Sequence, residues 1–469
     1  MNKKLTIFVT LMVILGVLVG CGRPPAETVE DEAPEEPQPT AETAAPTTPP
    51  EPAEEDVEPT APSEFKFSTW GDPTFFEDGF NRMKKDYSAY ADVEWIFVSG
   101  GEGDGDLLSQ LRADWIAESW DTMPDAAEMS TSYIPLLAEE GLLVDLTDMV
   151  APYADDISPA VLNGVTHNGK VYALPWMPNT GMIWYNKEVL DEAGINADDI
   201  ETWDDYLEAG KTIRDYEFAD GVDRYIHNAD IAWGPGMALQ LMLNQECSSY
   251  IDPDTGELAI DTDPAFRRAF EWWVDAYEEG ILLGVEEWET PWFDALNEGI
   301  IASYISANWM DQVIQFDLED QEGTWRAMPL PAWEPGGSRA AFESGSANVV
   351  ILNKPGADVD LAWTFFEHSF LNEDVTGDLT SAHALVPAFL PAFDHPYYSG
   401  PNDFYGGQEL GKLDKEIQES ATCAFNYTQH YYDITDLVMV EIQEVWARNK
   451  DVDQAIADAA DAVRFSIEE

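Results

Sequence analysis

The sequence predicts an α/β body built as two lobes and carried behind a disordered tether. Three observations lead there. Short apolar strands alternate with amphipathic helices from Glu64 onward, the pattern of βαβ units. The body, Glu64–Glu469, runs to about 400 residues, more than one hydrophobic core usually spans, so two lobes are expected. The preceding stretch, Gly22–Ser63, holds eleven prolines and twelve acidic residues against one arginine and no aromatic residue. Such a stretch cannot bury enough apolar surface to offset chain entropy.

The elements follow in order. Glu64–Thr69 alternates as a strand does and ends at Trp70-Gly71-Asp72-Pro73. A helix is expected over Phe75–Tyr90 and a strand over Val93–Val98. The Gly-rich turn Ser99–Gly105 leads into a helix over Asp106–Ser119. Tyr133–Gly141 reads as a helix and Leu142–Leu146 as strand-like. Asn168–Leu190 reads as two strands, Val171–Leu174 and Met182–Tyr185, around the stiff loop Pro175-Trp176-Met177-Pro178-Asn179-Thr180. Ile200–Arg214 is a helix with Thr202 as its N-cap. Pro264–Gly280 is amphipathic, with Trp272 and Trp273 read as packing residues. A helix over Phe293–Gly299 hands over to a strand, Ile300–Trp309. Phe342–Ala347 leads into the apolar strand Asn348–Leu352, and Asp358–Phe370 and Val452–Phe465 close the chain as helices, with Trp363 again packing.

The start of the chain reads as an address. Lys3 and Lys4 precede the apolar run Leu5–Val19, which is short for a spanning helix. The run ends in Leu18-Val19-Gly20-Cys21, which resembles a bacterial lipobox. That resemblance implies residues 1–20 as a lipoprotein signal peptide and Cys21 as the site of lipid attachment. Residues 21–63 then form a tether from the membrane, extended by its prolines and like charges.

Asn168–Leu190, Leu296–Trp309 and Phe342–Ala347, in their order and spacing, resemble the crossovers and cleft segment of the family 1 extracellular solute-binding proteins, the sugar receptors of ABC importers. The resemblance covers nearly all of Glu64–Glu469. It implies a periplasmic-binding-protein-like fold: two α/β lobes, a hinge and a ligand cleft between them. It implies a first lobe from 64–178 and 343–390, and a second from 179–342 and 391–469. It also implies a carbohydrate ligand, an oligosaccharide by preference. An ABC permease is the partner, the cell surface or periplasm the location, and the state monomeric. No cofactor is expected.

Sugars need flat aromatic platforms and planar polar groups that donate and accept. The chain has 17 tryptophans, more than a core of this size needs, so those at strand ends and turns are the candidates. They are Trp70, Trp176, Trp233 and Trp309, joined by Asn179, Asn308, Asp72 and Glu128, with Tyr431 as a late contact. Glu343 and Ser346, at the second crossover, are weaker candidates. Open α/β sheets bind ligands at the carboxyl ends of their strands, where most of these residues fall.

Net charge is −68; the leader contributes +2 and the tether −11, leaving −59 on the body. That excludes nucleic acid, whose phosphates need a basic footprint. It also confines membrane contact to the lipid anchor. A body so acidic repels itself unless salt screens it, which points to a salt-loving source. Glu102, Asp104 and Asp106 lack the ligand set of a calcium loop, and no Cys/His cluster points to a metal. His227, His383 and His430 are read as satisfied polar residues. Whether Cys247 and Cys423 pair stays open. Two alternatives stand beside the sugar receptor. An acidic cleft suits a polyamine, and Asp72 with Glu128 can be cast as a glycosidase pair, although no GxSxG, HExxH or phosphate loop accompanies them.

Overall fold

The computed structural model describes residues 64–101, 103–230, 235–318, 320–343 and 347–468. All belong to one compact unit, Pro59–Glu469. The leader, Cys21 and the tether fall outside the described residues.

Eight strands form two sheets: β1 (Glu64–Thr69), β2 (Glu94–Ser99), β3 (Ala126–Ser130), β4 (Leu174–Met177), β5 (Gly181–Asn186), β6 (Ser303–Ala307), β7 (Trp325–Pro329) and β8 (Ala347–Ile351). The first sheet runs β2-β1-β3-β8-β4 and the second β6-β5-β7. Each centres one lobe. Within these two sheets the parallel expectation holds for β1 with β2 and β3; β8 is antiparallel to both of its neighbours, and the second sheet is antiparallel throughout. The reason is the route of the chain. β4 carries it out of the first sheet and β8 brings it back, so the two must run in opposite directions.

Among the longer helices that flank the sheets are α1 (Thr74–Asp86), α2 (Asp104–Ile116), α3 (Trp203–Asp215), α4 (Gly236–Asn244), α5 (Pro264–Glu278), α6 (Thr290–Asn297), α7 (Val359–Phe370), α8 (Leu410–Ser420), α9 (Tyr431–Trp446) and α10 (Val452–Glu468). Thr202 caps α3 in a capping box, its hydroxyl taking the Asp205 N–H while the Asp205 carboxylate takes the Thr202 N–H. In the first lobe α1 and α7 bury Phe65, Phe67, Phe80 and Phe365 against the sheet. In the second, Trp203, Tyr206, Trp272 and Trp273 stack edge to face beneath α3 and α5. Trp363 packs, half-buried, on the first-lobe core.

Three expected elements change. Val171–Leu174 is not one strand: Lys170–Val171 pairs with Thr166–His167, and Leu174 opens β4. Leu142–Leu146 is not a strand; only Leu143 bridges, to Leu352. The loop expected at Pro175–Met177 is strand β4. It lies at the sheet's edge, paired on one side only, where a proline without an N–H is tolerated. Cys247 and Cys423 are joined as a disulfide, closing the pairing left open above.

Candidate functional site

Strand direction fixes where a ligand would sit. The carboxyl ends of β1, β3 and β4 and the start of β8 meet at one edge of the first sheet, with Ala347 opposite both Ser130 and Met177. In the second sheet the start of β5 faces the ends of β6 and β7, with Gly181 opposite Ala307. The chain crosses between these edges at Pro178–Thr180 and returns at Ala341–Glu343. The two crossings are bonded to each other. Gly181 N–H donates to Ala341 O at 2.8 Å, Glu343 N–H to Asn179 O at 3.0 Å, and Thr180 bridges Phe342. A side chain at Gly181 would strike Leu241, Leu330 and the Ala341 carbonyl, so the close crossing needs glycine. Asn179 takes a left-handed conformation, φ 47°, which asparagine tolerates better than most residues.

A buried carboxylate anchors this hinge. Asp414 of α8 accepts from Thr180 Oγ1 at 2.9 Å, Asn308 Nδ2 at 3.1 Å and Gln418 Nε2 at 2.8 Å. Burial with neutral partners only pushes its carboxyl up to about 6. Asp311 nearby, bonded to Tyr405 and Gln315, is pushed up to about 7, again by burial.

Beside the hinge lies a small cavity of about 40 Å³. Trp309, just past β6, forms one wall. Its Nε1 donates to Glu343 Oε2 at 2.6 Å, tying the platform to the return crossing. Trp288 stacks on it at 5.4 Å and 29°. Trp288 is 56% exposed and holds φ at 65°, a conformation costly for a bulky residue. Glu287 accepts from Asn228 Nδ2 at 3.3 Å and faces the Tyr304 hydroxyl. Burial first, and the charge of Asp230 after it, push Glu287 up to about 7. Glu343 is also pushed up to about 7, by burial first, with Glu287 adding to it. His227, at the rear, is buried, accepts the Ile305 N–H at 3.3 Å and is driven down to about 3 by burial. A second, smaller cavity of about 20 Å³ shares Glu343 and is lined by Thr131, Gly164, Phe425 and Tyr427. Tyr432 of α9 stacks on Tyr133 at 4.4 Å and bonds to Ser132 at 3.0 Å, tying α9 to the turn after β3.

The expected site residues divide. Trp309 lines the first cavity and Asn308 serves the hinge. Glu343, the weaker candidate, is central to both cavities. Asn179 is buried in the crossing itself. Trp176 is core rather than wall, 4% exposed and packed on Phe75 at 4.5 Å, Phe76 at 5.5 Å and Phe370 at 6.1 Å. Tyr431 is likewise buried, among Tyr250, Phe425 and Tyr427. Trp70 is half-buried against the cluster around Leu107 and Leu111. Asp72 is exposed and caps α1, accepting the Thr74 N–H at 2.9 Å and the Thr74 hydroxyl; these bonds lower its carboxyl. Glu128 is buried and accepts the Thr69 hydroxyl; burial pushes it up to about 8. Trp233 and Ser346 lie outside the described residues. Sequence reasoning missed Trp288 and Glu287. Their signal was a tryptophan in the acidic loop before the Thr290-Pro291 helix start.

Residues 75–375 match the family described as bacterial extracellular solute-binding protein. Among curated relatives, an arabinooligosaccharide-binding protein of Halalkalibacterium halodurans is 29% identical over 60% of this chain and 62% of its own length. A lactose-binding protein of Rhizobium radiobacter is 24% identical over 65% of this chain and 70% of its own. The chain thus spans about three-fifths of the first curated relatives it matches. Among solved structures, a binding protein of B. animalis subsp. lactis in complex with β-1,6-galactobiose aligns at TM-score 0.69 and 23% identity, covering 86% of this chain and 96% of that one. A maltose-bound protein of T. maritima aligns at TM-score 0.69 and 18% identity, over 86% and 99%. With a match running over most of its body, the chain belongs to the bacterial extracellular solute-binding proteins.

Proposed function

We propose that this chain is a carbohydrate receptor, with an oligosaccharide as its ligand, that delivers it to an ABC-type membrane permease by hinge closure. One observation carries the reading. At the edge of the cleft, the stacked tryptophans Trp309 and Trp288 stand beside the acceptors Glu343 and Glu287. An aromatic face meets a sugar ring and carboxyl groups take its hydroxyl hydrogens. The names of the relatives support a sugar. The bonded crossings support a hinge, and a ligand touching both lobes would favour the closed form by its differential affinity. They also support lobes of 64–178 with 343–390 and 179–342 with 391–469. Residues 1–20 as a signal peptide, Cys21 as lipid anchor, the 21–63 tether, a monomeric state and a salt-loving source complete the proposal. No described helix is long and apolar enough to cross a membrane.

The test is calorimetry of the purified chain against arabinooligosaccharides, lactose, β-1,6-galactobiose and maltose, with spermidine as the non-sugar arm. Saturable binding of one sugar is expected. Binding of spermidine alone moves the protein to the polyamine reading. New reducing ends in the sugar incubations would revive the glycosidase reading.

A further inference from the structure

We infer that the cleft selects against anionic saccharides, and that Glu287 is a residue that sets this selectivity. The inference rests on the sugar-receptor reading and adds the ligand's charge class to it. Tyrosines aside, the ionisable side chains lining the first cavity are His227, Glu287 and Glu343, and the second has Glu343. Among the described residues, no lysine or arginine lines either cavity. A uronate or a sugar phosphate would therefore bring its charge against carboxyl groups with no cation to pair with it. Burying a charge unpaired is costly, and like charges at close range add repulsion.

Two features could supply positive charge, and neither suffices. His227 is 3% exposed, lies between the rings of Trp273 and Tyr304, and uses its Nδ1 to accept the Ile305 N–H, so it stays neutral. The first turn of α4, Gly236–Ala238, opens on the cavity. A helix start carries roughly half a positive charge. Glu287 and Glu343 together exceed it, and Asp230 stands behind Glu287, accepting its backbone N–H at 3.3 Å. Glu287 is the better handle of the two acids. It sits on a loop and leaves the Trp309–Glu343 bond untouched, and glutamine keeps an oxygen to accept from Asn228.

The experiment compares one neutral sugar with its acidic twin on the full chain. Galactobiose and digalacturonate of the same linkage form the pair; calorimetry gives Kd for each. The acidic member is expected to bind at least about tenfold more weakly than its neutral twin. Glu287→Gln is expected to narrow that ratio several-fold, with Glu343→Gln as the second variant should the first not fold. Equal affinity for both twins overturns the inference and leaves the receptor reading standing. A ratio unchanged in a folded Glu287→Gln removes Glu287 from the role. Failure of every neutral sugar to bind removes the receptor reading and this inference together.

Discussion

Trp288→Ala and Trp176→Ala should part company. Trp288 is 56% exposed, so its removal takes little apolar surface from a buried place. What it loses within the protein is stacking on Trp309 at 5.4 Å and Trp292 at 5.3 Å, about 1 kcal/mol at such an exposed position. As a sugar platform it should matter more. Losing an aromatic face costs about 1–3 kcal/mol of binding, a rise in Kd of about five- to over a hundredfold. Trp176 has the opposite balance. It is 4% exposed and touches three phenylalanine rings of the first-lobe core. A buried tryptophan cut to alanine costs about 3–5 kcal/mol of stability. Denaturant unfolding gives the first quantity for both variants, and calorimetry with the sugar that binds gives the second. Trp288→Ala should unfold near the parent midpoint and bind weakly. Trp176→Ala should unfold early and, while folded, bind with nearly parental affinity. A folded, stable Trp176→Ala that has lost its ligand would refute the assignment of Trp176 to the core. An unchanged Kd in Trp288→Ala would refute the platform.

Stability should fall as pH rises from about 4 to about 8. Asp414, Asp311, Glu287, Glu343 and Glu128 are all pushed up in the native state, to about 6, 7, 7, 7 and 8, so the folded chain holds protons that the unfolded chain has released. The unfavourable burial of each charge is absent below its unfolded value and fully felt above its folded one. Asp414→Asn should shrink the pH 4-to-8 loss by about 3 kcal/mol, read from denaturation curves at several pH values; an identical slope in the variant would show that Asp414 titrates normally. Reducing the Cys247–Cys423 bond, whose ends lie 176 residues apart, should cost about 2–5 kcal/mol, and equal unfolding with and without reductant would mean that the bond contributes nothing. Melting temperature should climb from about 0.01 M to 1 M NaCl as the screening length shrinks from about 30 Å to 3 Å; a flat profile would end the salt-loving reading.

Much of this architecture was legible because its causes are local. Thr202 and Asp205 write their own cap three residues apart, and the apolar runs that became β5, β6 and β8 lie where the sequence placed them. Pro175-Trp176 misled because a local signal met a non-local answer. Prolines around a tryptophan read as a rigid loop, but the edge of the sheet accepts Pro175, and Phe75 and Phe370, far away in sequence, close over Trp176. The burial of an aromatic side chain is decided by partners that no window of sequence contains. The same holds for the cavity. Glu287, Trp288, Tyr304, Trp309 and Glu343 come from three separate segments, and only the pairing of β6 with β5 and the return crossing bring them together.

The division changes what the first crossing does. Trp176 belongs to a lobe's fixed core, and Asn179 and Thr180 spend their backbone groups on the second crossing and on Asn308. On the proposed reading the crossing turns and the cavity beside it holds the ligand. The side chain that couples the two tasks is Glu343. Its backbone N–H is bonded to Asn179 in the hinge, while its carboxyl holds the Trp309 indole in the cavity. A sugar hydroxyl drawn to that carboxyl would pull directly on the segment that must move. On the proposed reading closure and recognition would share one residue, which would account for a carboxyl group being kept in so buried a place despite the cost of burying it.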